Sequence, residues 1–390
     1  MATLAQPGAA RKRPALLRPL VCQGQSLAAA HAALGRKLGT VIRRVAKLRW
    51  QRTSPQERDQ QITTLRRSRE HLAELVHRRG LSATIRRGLR EYIDCLCAWS
   101  DAARLSRVAV GQSVDGISLS GDDLAWWLQD DNVGCQTGLL RQPGGDVLFW
   151  HTEEDTIGYL DRPRIAAFDD GSRAGLHAFI YPYLLPGPAF GWQRGQFHAV
   201  DSLSLRRTPG AAGYPTSVAS WLVWRLGKRV DVQELLESLA PYIDACAIHV
   251  VQTTPRGASA AVYEIGGPHV HCRQLTRGAG AWLYQANAAS ADCTALMQCE
   301  DLTAAQRQRY RAREERTQAA VERWTAGAPG EIDPQQVVEL LASRRGGSYA
   351  YANDDVKGYC VGRASRRGLE LTAVAGAATA SDLYQPQFQV

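Results

Sequence analysis

A cysteine stands directly after a glycine at Gly134-Cys135, and three carboxylates follow at Glu153-Glu154-Asp155. Between them lies Pro143-Gly144-Gly145-Asp146, a strong turn signal flanked by two apolar runs, so the segment reads as a β-hairpin. With the turn centred on Gly144, Cys135 falls opposite position 153, give or take a residue, and His151 lies two residues short of that point. A thiol beside a carboxylate is suggestive chemistry, but the thiolate is the nucleophile and a neighbouring negative charge raises a thiol pKa. A free α-amino group, with a pKa of roughly 7.7–8.0, is a better base at neutral pH. Cys135 carries such an amine only if the bond before it is cut. Gly134 has no side chain and permits the strained backbone that an N-to-S acyl shift requires. The structural alternative is a small buried strand cysteine beside a solvated strand end.

The elements that must hold this hairpin follow from periodicity. Residues 1–20 read as a flexible basic tail carrying Arg11, Lys12 and Arg13. From about Gln25 to Ala103 the pattern is helical. Ser54-Pro55 opens one helix that runs to about His77, and Ser82 caps another in which Ile85, Leu89, Tyr92, Ile93 and Leu96 recur at helical spacing. After about Val108, short apolar runs alternate with Gly, Asp and Pro turns: Leu139-Leu140, Val147–Trp150, Leu176–Tyr181, Ala247–Gln252 and Ala260–Ile265 read as strands of an antiparallel sheet. Helices are expected over Val218–Leu226, Val232–Leu239, Thr303–Trp324 and Asp333–Ser343, and a last hairpin near Tyr359–Arg363 and Leu369–Val374. Strand groups packed between helices make the fold class α+β and layered.

The totals narrow the function classes. With 45% hydrophobic and 22% charged residues, the 390-residue chain has material for a sizeable core. No stretch approaches the ~20 apolar residues of a membrane span, and no secretory signal is legible, so the expectation is a cytoplasmic protein without a membrane partner. Nine scattered cysteines suit a reducing compartment rather than a disulfide framework. The net charge of +9 is uneven: residues 1–100 carry 20 Lys and Arg against 6 Asp and Glu, and the remainder 27 against 32. The basic quarter suits an anionic partner such as an acyl carrier, CoA, a membrane surface or nucleic acid, or is a set of solvated helix faces. Nothing interleaves aromatics with this charge as a nucleic-acid surface would, so nucleic acid is not expected. No phosphate-binding loop, dinucleotide fingerprint or serine elbow occurs. His269-Val-His271-Cys272 has the alternation of a strand-borne metal pair but no carboxylate nearby in sequence to complete it, so no metal and no cofactor are expected. His198 and His249 lie in apolar runs and read as core histidines, and Trp126-Trp127 and Tyr181-Pro-Tyr183 as core aromatics or the lining of an acyl pocket.

Gly134-Cys135-Gln-Thr, followed by the turn and then His151-Thr-Glu-Glu-Asp155, resembles the processing site of the acyl-CoA:6-aminopenicillanic-acid acyltransferase family of N-terminal-nucleophile (Ntn) hydrolases. The resemblance continues in order through Gly187–Gln193 and Phe197–Leu203, Gly213-Tyr-Pro215 to Arg225, Ala260–Ile265, Tyr284–Asn287 and Ala373–Ala380, roughly residues 130–380. It implies a four-layer αββα sandwich, here with a basic helical N-terminal region. It also implies self-cleavage into chains 1–134 and 135–390 that stay associated, with 21–134 forming the helical part of the first. Cys135 would be the nucleophile, its amine the base, and Glu154, or Glu153 or Asp155, the carboxylate that orients the amine. Asp201 and Asn287 would serve the oxyanion side. His151, Glu153, Trp192 and Gln193 would contact substrate.

Asp201 stands where the family's motif has asparagine, and an ionised aspartate cannot donate to an oxyanion. Either Asp201 is protonated, or Gln193 or a backbone N–H takes that part. The implied activity is acyl transfer or hydrolysis on an amide or acyl thioester, with CoA- or carrier-bound acyl groups among the substrates, in secondary metabolism. The competing expectation is an uncut Ntn-fold binding protein whose basic helices hold an anion.

Overall fold

The computed structural model describes residues 17–129, 134–154, 163–172, 174–205, 216–326, 331–344, 351–352, 355–379 and 382–390. Asp155, the tail before Leu17, and Gly213–Pro215 therefore lie outside the described residues. The fold is α+β. Eight strands form one sheet in the order β1 (Pro19–Gln23), β6 (Arg164–Asp169), β7 (Leu176–Ile180), β8 (Phe190–Gln193), β9 (Gln196–Ser202), β10 (Cys246–Thr254), β11 (Gly257–Gly266) and β12 (His269–Gln274). Only the β1–β6 pair is parallel. Six strands form a second, fully antiparallel sheet: β13 (Trp282–Gln285), β4 (Gly134–Arg141), β5 (Val147–Glu154), β14 (Val356–Ser365), β15 (Gly368–Ala375) and β16 (Phe388–Gln389). A small ribbon, β2 (Ser113–Val114) with β3 (Ile117–Ser118), stands apart.

The two sheets stack face to face, β4 on β9, β5 on β11, and β14 on β10 and β11. Helices α1 (Leu27–Arg52), α3 (Ala83–Ala103) and α6 (Thr216–Leu226) form the layer outside the eight-stranded sheet. Around them pack α2 (Pro55–His77), α4 (Ser106–Ala109), α5 (Gly121–Gln129) and α7 (Val232–Leu239). On the far side, after the short α8 (Thr294–Met297), α9 (Ala304–Thr325) and α10 (Pro334–Leu341) cover the six-stranded sheet. The result is four layers, αββα. The helices expected at Val232–Leu239 and near Thr303–Trp324 form within a residue of those bounds, because Asp231 and Thr303 cap them as their side chains suggest.

The larger core fills the space between the sheets and runs on under α1, α3 and α6; a smaller one lies between the six-stranded sheet and α9 and α10. This explains β5, whose eight residues are all buried: Val147 and Phe149 enter the larger core, Leu148 and Trp150 the smaller. Gly138 sits under the Trp150 indole, which leaves no space for a Cβ. At the hairpin tip Gly144 has φ +82°, so the Pro-Gly-Gly-Asp turn needs its glycine.

The basic N-terminal quarter is built into the fold rather than appended to it. Arg43 donates to the Ala103 carbonyl at 2.6 Å, and Arg49 to the Leu128 carbonyl at 3.2 Å while lying 4.6 Å from the Trp127 ring centre. Arg58 covers Trp50, Arg66 and Arg69 both bind Asp123, and Arg78 donates to the Tyr242 hydroxyl. Arg225 at the end of α6 grips Glu91 of α3 with two contacts of 2.9 Å. Trp126 and Trp127 are buried in this helical layer, Trp127 donating to Gln61. None of the described helices is long and apolar enough to cross a membrane.

Candidate active site

Strand periodicity builds the site. In β4, Cys135 and Thr137 point toward the eight-stranded sheet, two residues apart. In β5, His151 and Glu153 do the same. The register pairs Cys135 with Glu153 and Thr137 with His151, as a turn centred on Gly144 requires. From the opposing sheet come Asp201 on β9, His249 on β10 and, just past the end of β7, Tyr181. All seven are buried.

These side chains form one connected network. Glu153 Oε1 lies 3.4 Å from Cys135 Sγ and 2.8 Å from His151 Nε2, and the Tyr181 hydroxyl donates to Glu153 Oε2 at 3.0 Å. His151 Nδ1 is 2.7 Å from Thr137 Oγ1, which is 3.2 Å from Asp201 Oδ1. Asp201 Oδ2 is 2.7 Å from His249 Nε2.

Burial sets the protons. It pushes the Asp201 carboxyl up to about 8, against the smaller opposing pull of His151 and the Thr137 hydroxyl. It pulls His151 down to about 4 and His249 well below the usual imidazole range. The Cys135 thiol is pushed well above its usual range, first by burial and then by the Glu153 and Asp201 carboxyls. The Thr137 hydroxyl donates to Asp201 Oδ1 and faces His151 Nδ1, the Tyr181 hydroxyl and the thiol donate to Glu153, and His151 and His249 close the chain through their Nε2 atoms to Glu153 and Asp201. The raised Asp201 carboxyl is in the direction that a protonated aspartate needs.

The other residues anticipated from the sequence lie elsewhere. Of the carboxylates expected to orient the amine, Glu153 lies beside the thiol, while one step along an extended strand reverses the side chain and Glu154 points to α9. There it meets Arg313 at 2.8 Å and Arg309 at 3.2 Å, and Gln136 donates to it. Asn287 donates to the backbone and hydroxyl oxygens of Ser202, tying the loop after β13 to the end of β9. Gln193 donates to the Trp224 carbonyl, and Trp192 packs on His177 and Phe388, so both fasten the eight-stranded sheet to its surroundings rather than meeting Cys135. His271 stands opposite Glu264, but Glu264 is engaged by Ser290 and Arg273. Among the described residues the group able to hold a metal is instead Cys135, His151 and Asp201, whose ligand atoms lie within 4.8 Å of one another.

Thr137 carries no expectation from the sequence, His249 is expected there as a core histidine, and Tyr181 as a core or pocket-lining aromatic; all three join the network. Thr137 was recoverable, since it lies two residues beyond Cys135 on the same strand face. His249 and Tyr181 come from the other sheet, and no local pattern points to them.

No family model matches the chain, and no curated protein does. Among solved structures, the N-acylethanolamine-hydrolyzing acid amidase ortholog of Caenorhabditis elegans aligns with 58% of this chain and 92% of its own, at 12% identity and a TM-score of 0.38.

Proposed function

We propose that the chain is a cysteine Ntn hydrolase that cuts itself before Cys135 and then carries acyl groups on the Cys135 sulfur. The observation that carries this reading is the pairing of Cys135, first residue after Gly134 in β4, with Glu153 inside a buried network between two stacked sheets. In the uncut chain Glu153 lies beside the thiol as a proton acceptor. Sγ attacks the Gly134 carbonyl carbon as the S–H proton passes to Glu153, and the C–N bond then breaks, with its nitrogen taking up a proton. Water hydrolyses the resulting thioester, leaving a carboxylate on Gly134 and a free thiol and amine on Cys135. That amine becomes the base for turnover, and Glu153, held by Tyr181 and His151, orients it.

The substrate class is a small-molecule amide or acyl thioester, CoA- or carrier-bound acyl groups included. Water as acceptor gives hydrolysis and an amine gives transfer. Chains 1–134 and 135–390 stay associated on this reading, because β1 from the first is a strand of a sheet otherwise built from the second. The test is the mass of the purified protein on a denaturing separation. Two chains split before Cys135, and a single chain for Cys135→Ala, are expected. A wild-type chain that stays whole, with a thiol inert to alkylation, overturns the reading.

One observation favours an uncut binding protein instead: Cys135 is fully buried, with its thiol held protonated by its surroundings. The same separation decides between the two.

A further inference from the structure

We infer that Cys135, His151 and Asp201 form a binding site for a zinc-class divalent cation, which would cap the nucleophile and hold the two sheets together. As regulation of that site, this rests on the reading of Cys135 as the nucleophile. The three residues come from three strands, β4 and β5 of one sheet and β9 of the other, and all are buried. Their ligand atoms lie within 4.8 Å of one another, and His151 Nδ1 is 3.8 Å from Asp201 Oδ1. Tetrahedral zinc holds neighbouring nitrogen and oxygen ligands about 3.3 Å apart and sulfur and nitrogen about 3.5 Å apart. The set thus needs to close by roughly an ångström, with the Thr137 hydroxyl turning out from between His151 and Asp201.

The donor chemistry suits a borderline-soft cation: one thiolate, one imidazole, one carboxylate. Thiolate and carboxylate together balance a divalent charge, so the buried centre is neutral and escapes the cost of an unpaired buried ion. The support is already built. His249 Nε2 holds Asp201 Oδ2 at 2.7 Å and leaves Oδ1 facing His151, the outer hydrogen bond that orients a metal-binding carboxylate. On binding, the Cys135 S–H and Asp201 O–H bonds break as sulfur–metal and oxygen–metal bonds form, and two protons go to solvent, the one from sulfur by way of Glu153, 3.4 Å away. Three protein ligands leave a fourth position for water or Glu153.

Titration of the purified full-length protein with Co2+ tests this. A thiolate-to-cobalt charge-transfer band in the near ultraviolet, saturating at one equivalent and displaced by Zn2+, is expected. Cys135→Ser should abolish the band, which matters because the chain has nine cysteines. Asp201→Asn should weaken binding, and His249→Gln should weaken it ~10-fold or more, as loss of an outer partner does. Near-ultraviolet circular dichroism establishes that each variant is folded, and Asp201→Asn carries the test should Cys135→Ser not fold. No band, or a band that persists unchanged in folded Cys135→Ser or Asp201→Asn, overturns the site. An acyl-enzyme at Cys135 in protein that binds no cobalt overturns the metal site alone and leaves the hydrolase reading intact. Cobalt bound at Cys135 in protein that never cleaves or acylates does the reverse.

Discussion

Glu153 and Glu154 are adjacent in the chain, both buried, and belong to two different chemistries. Glu153 faces the seam between the sheets, where its partners are a thiol, an imidazole and a phenol. Glu154 faces the outer layer, where its partners are the guanidiniums of Arg309 and Arg313 on α9. A two-residue strand period in a sheet covered on both faces makes the difference. One side of β5 meets groups that exchange protons, and the other side meets guanidiniums, which keep theirs. The first is suited to catalysis. The second pins α9 to the sheet, and Arg313, with none of its side chain exposed, shows how completely it is enclosed.

Separating the two carboxylates by substitution should therefore give opposite phenotypes. The largest effect is expected for Glu153→Gln. If Glu153 takes the thiol proton, self-cleavage should slow by on the order of 10²–10³-fold, read as the half-time for appearance of the two chains, while Glu154→Gln should stay within about tenfold of wild type. Equal slowing by the two would erase the comparison.

Stability should reverse the order. Glu154→Leu leaves the buried Arg313 without its carboxylate and should cost about 3–5 kcal/mol in denaturant unfolding. Glu153→Gln keeps hydrogen-bonding capacity and should cost less.

The seam should respond to pH near neutrality. The Asp201 carboxyl is raised from its ordinary value near 3.8 to about 8 in the folded state, so the unfolded chain gives up this proton first. Its contribution is full below about pH 4 and is lost as pH rises through about 8. Buried His151, held down to about 4, works in the opposite sense: its contribution is full above about 6.5 and is lost as pH falls to about 4. Thermal unfolding should accordingly show a melting temperature that drops between pH 6.5 and 8.5 in wild type. In Asp201→Asn that alkaline drop should flatten while the acid limb remains. An unchanged alkaline limb would count against a protonated Asp201. Buried His31 and His198, also pulled down, to about 4 and about 3, should reinforce the acid limb in both proteins.

The smallest effect is expected at the edge of the seam. Tyr181→Phe removes the hydrogen bond to Glu153, worth ~1 kcal/mol, so cleavage should slow roughly fivefold with little change in melting temperature. A loss as large as that of Glu153→Gln would promote Tyr181 from positioning the carboxylate to taking part in the proton transfer.

The N-terminal quarter offers a second contrast. Its surplus of arginine reads from the sequence as a surface for an anionic partner or as solvated faces, yet Arg43, Arg49, Arg66, Arg69 and Arg78 are bonded within the protein. Composition reports how many charges there are, whereas their use depends on which carbonyls, rings and carboxylates the helices bring beside them.

What the sequence determined is what depends on near neighbours. The turn at Gly144 sets the β4–β5 register, and the two-residue period then places Cys135, Thr137, His151 and Glu153 on one face. Helix caps at Ser54, Ser82, Asp231, Thr303 and Asp333 place helix starts to within a residue. The choice between Glu153 and Glu154 lay within the one-residue tolerance of the register argument, and a slip of one residue exchanges the two faces. Only the tertiary structure decided which face meets the second sheet. Only it brought Asp201, Tyr181 and His249 to the thiol, since those contacts span 28 to 64 residues or join strands of the opposing sheet. The raised Asp201 carboxyl is set there too: burial between two stacked sheets pushes it up to about 8, and water exclusion is a property of the packed layers that no stretch of sequence carries by itself.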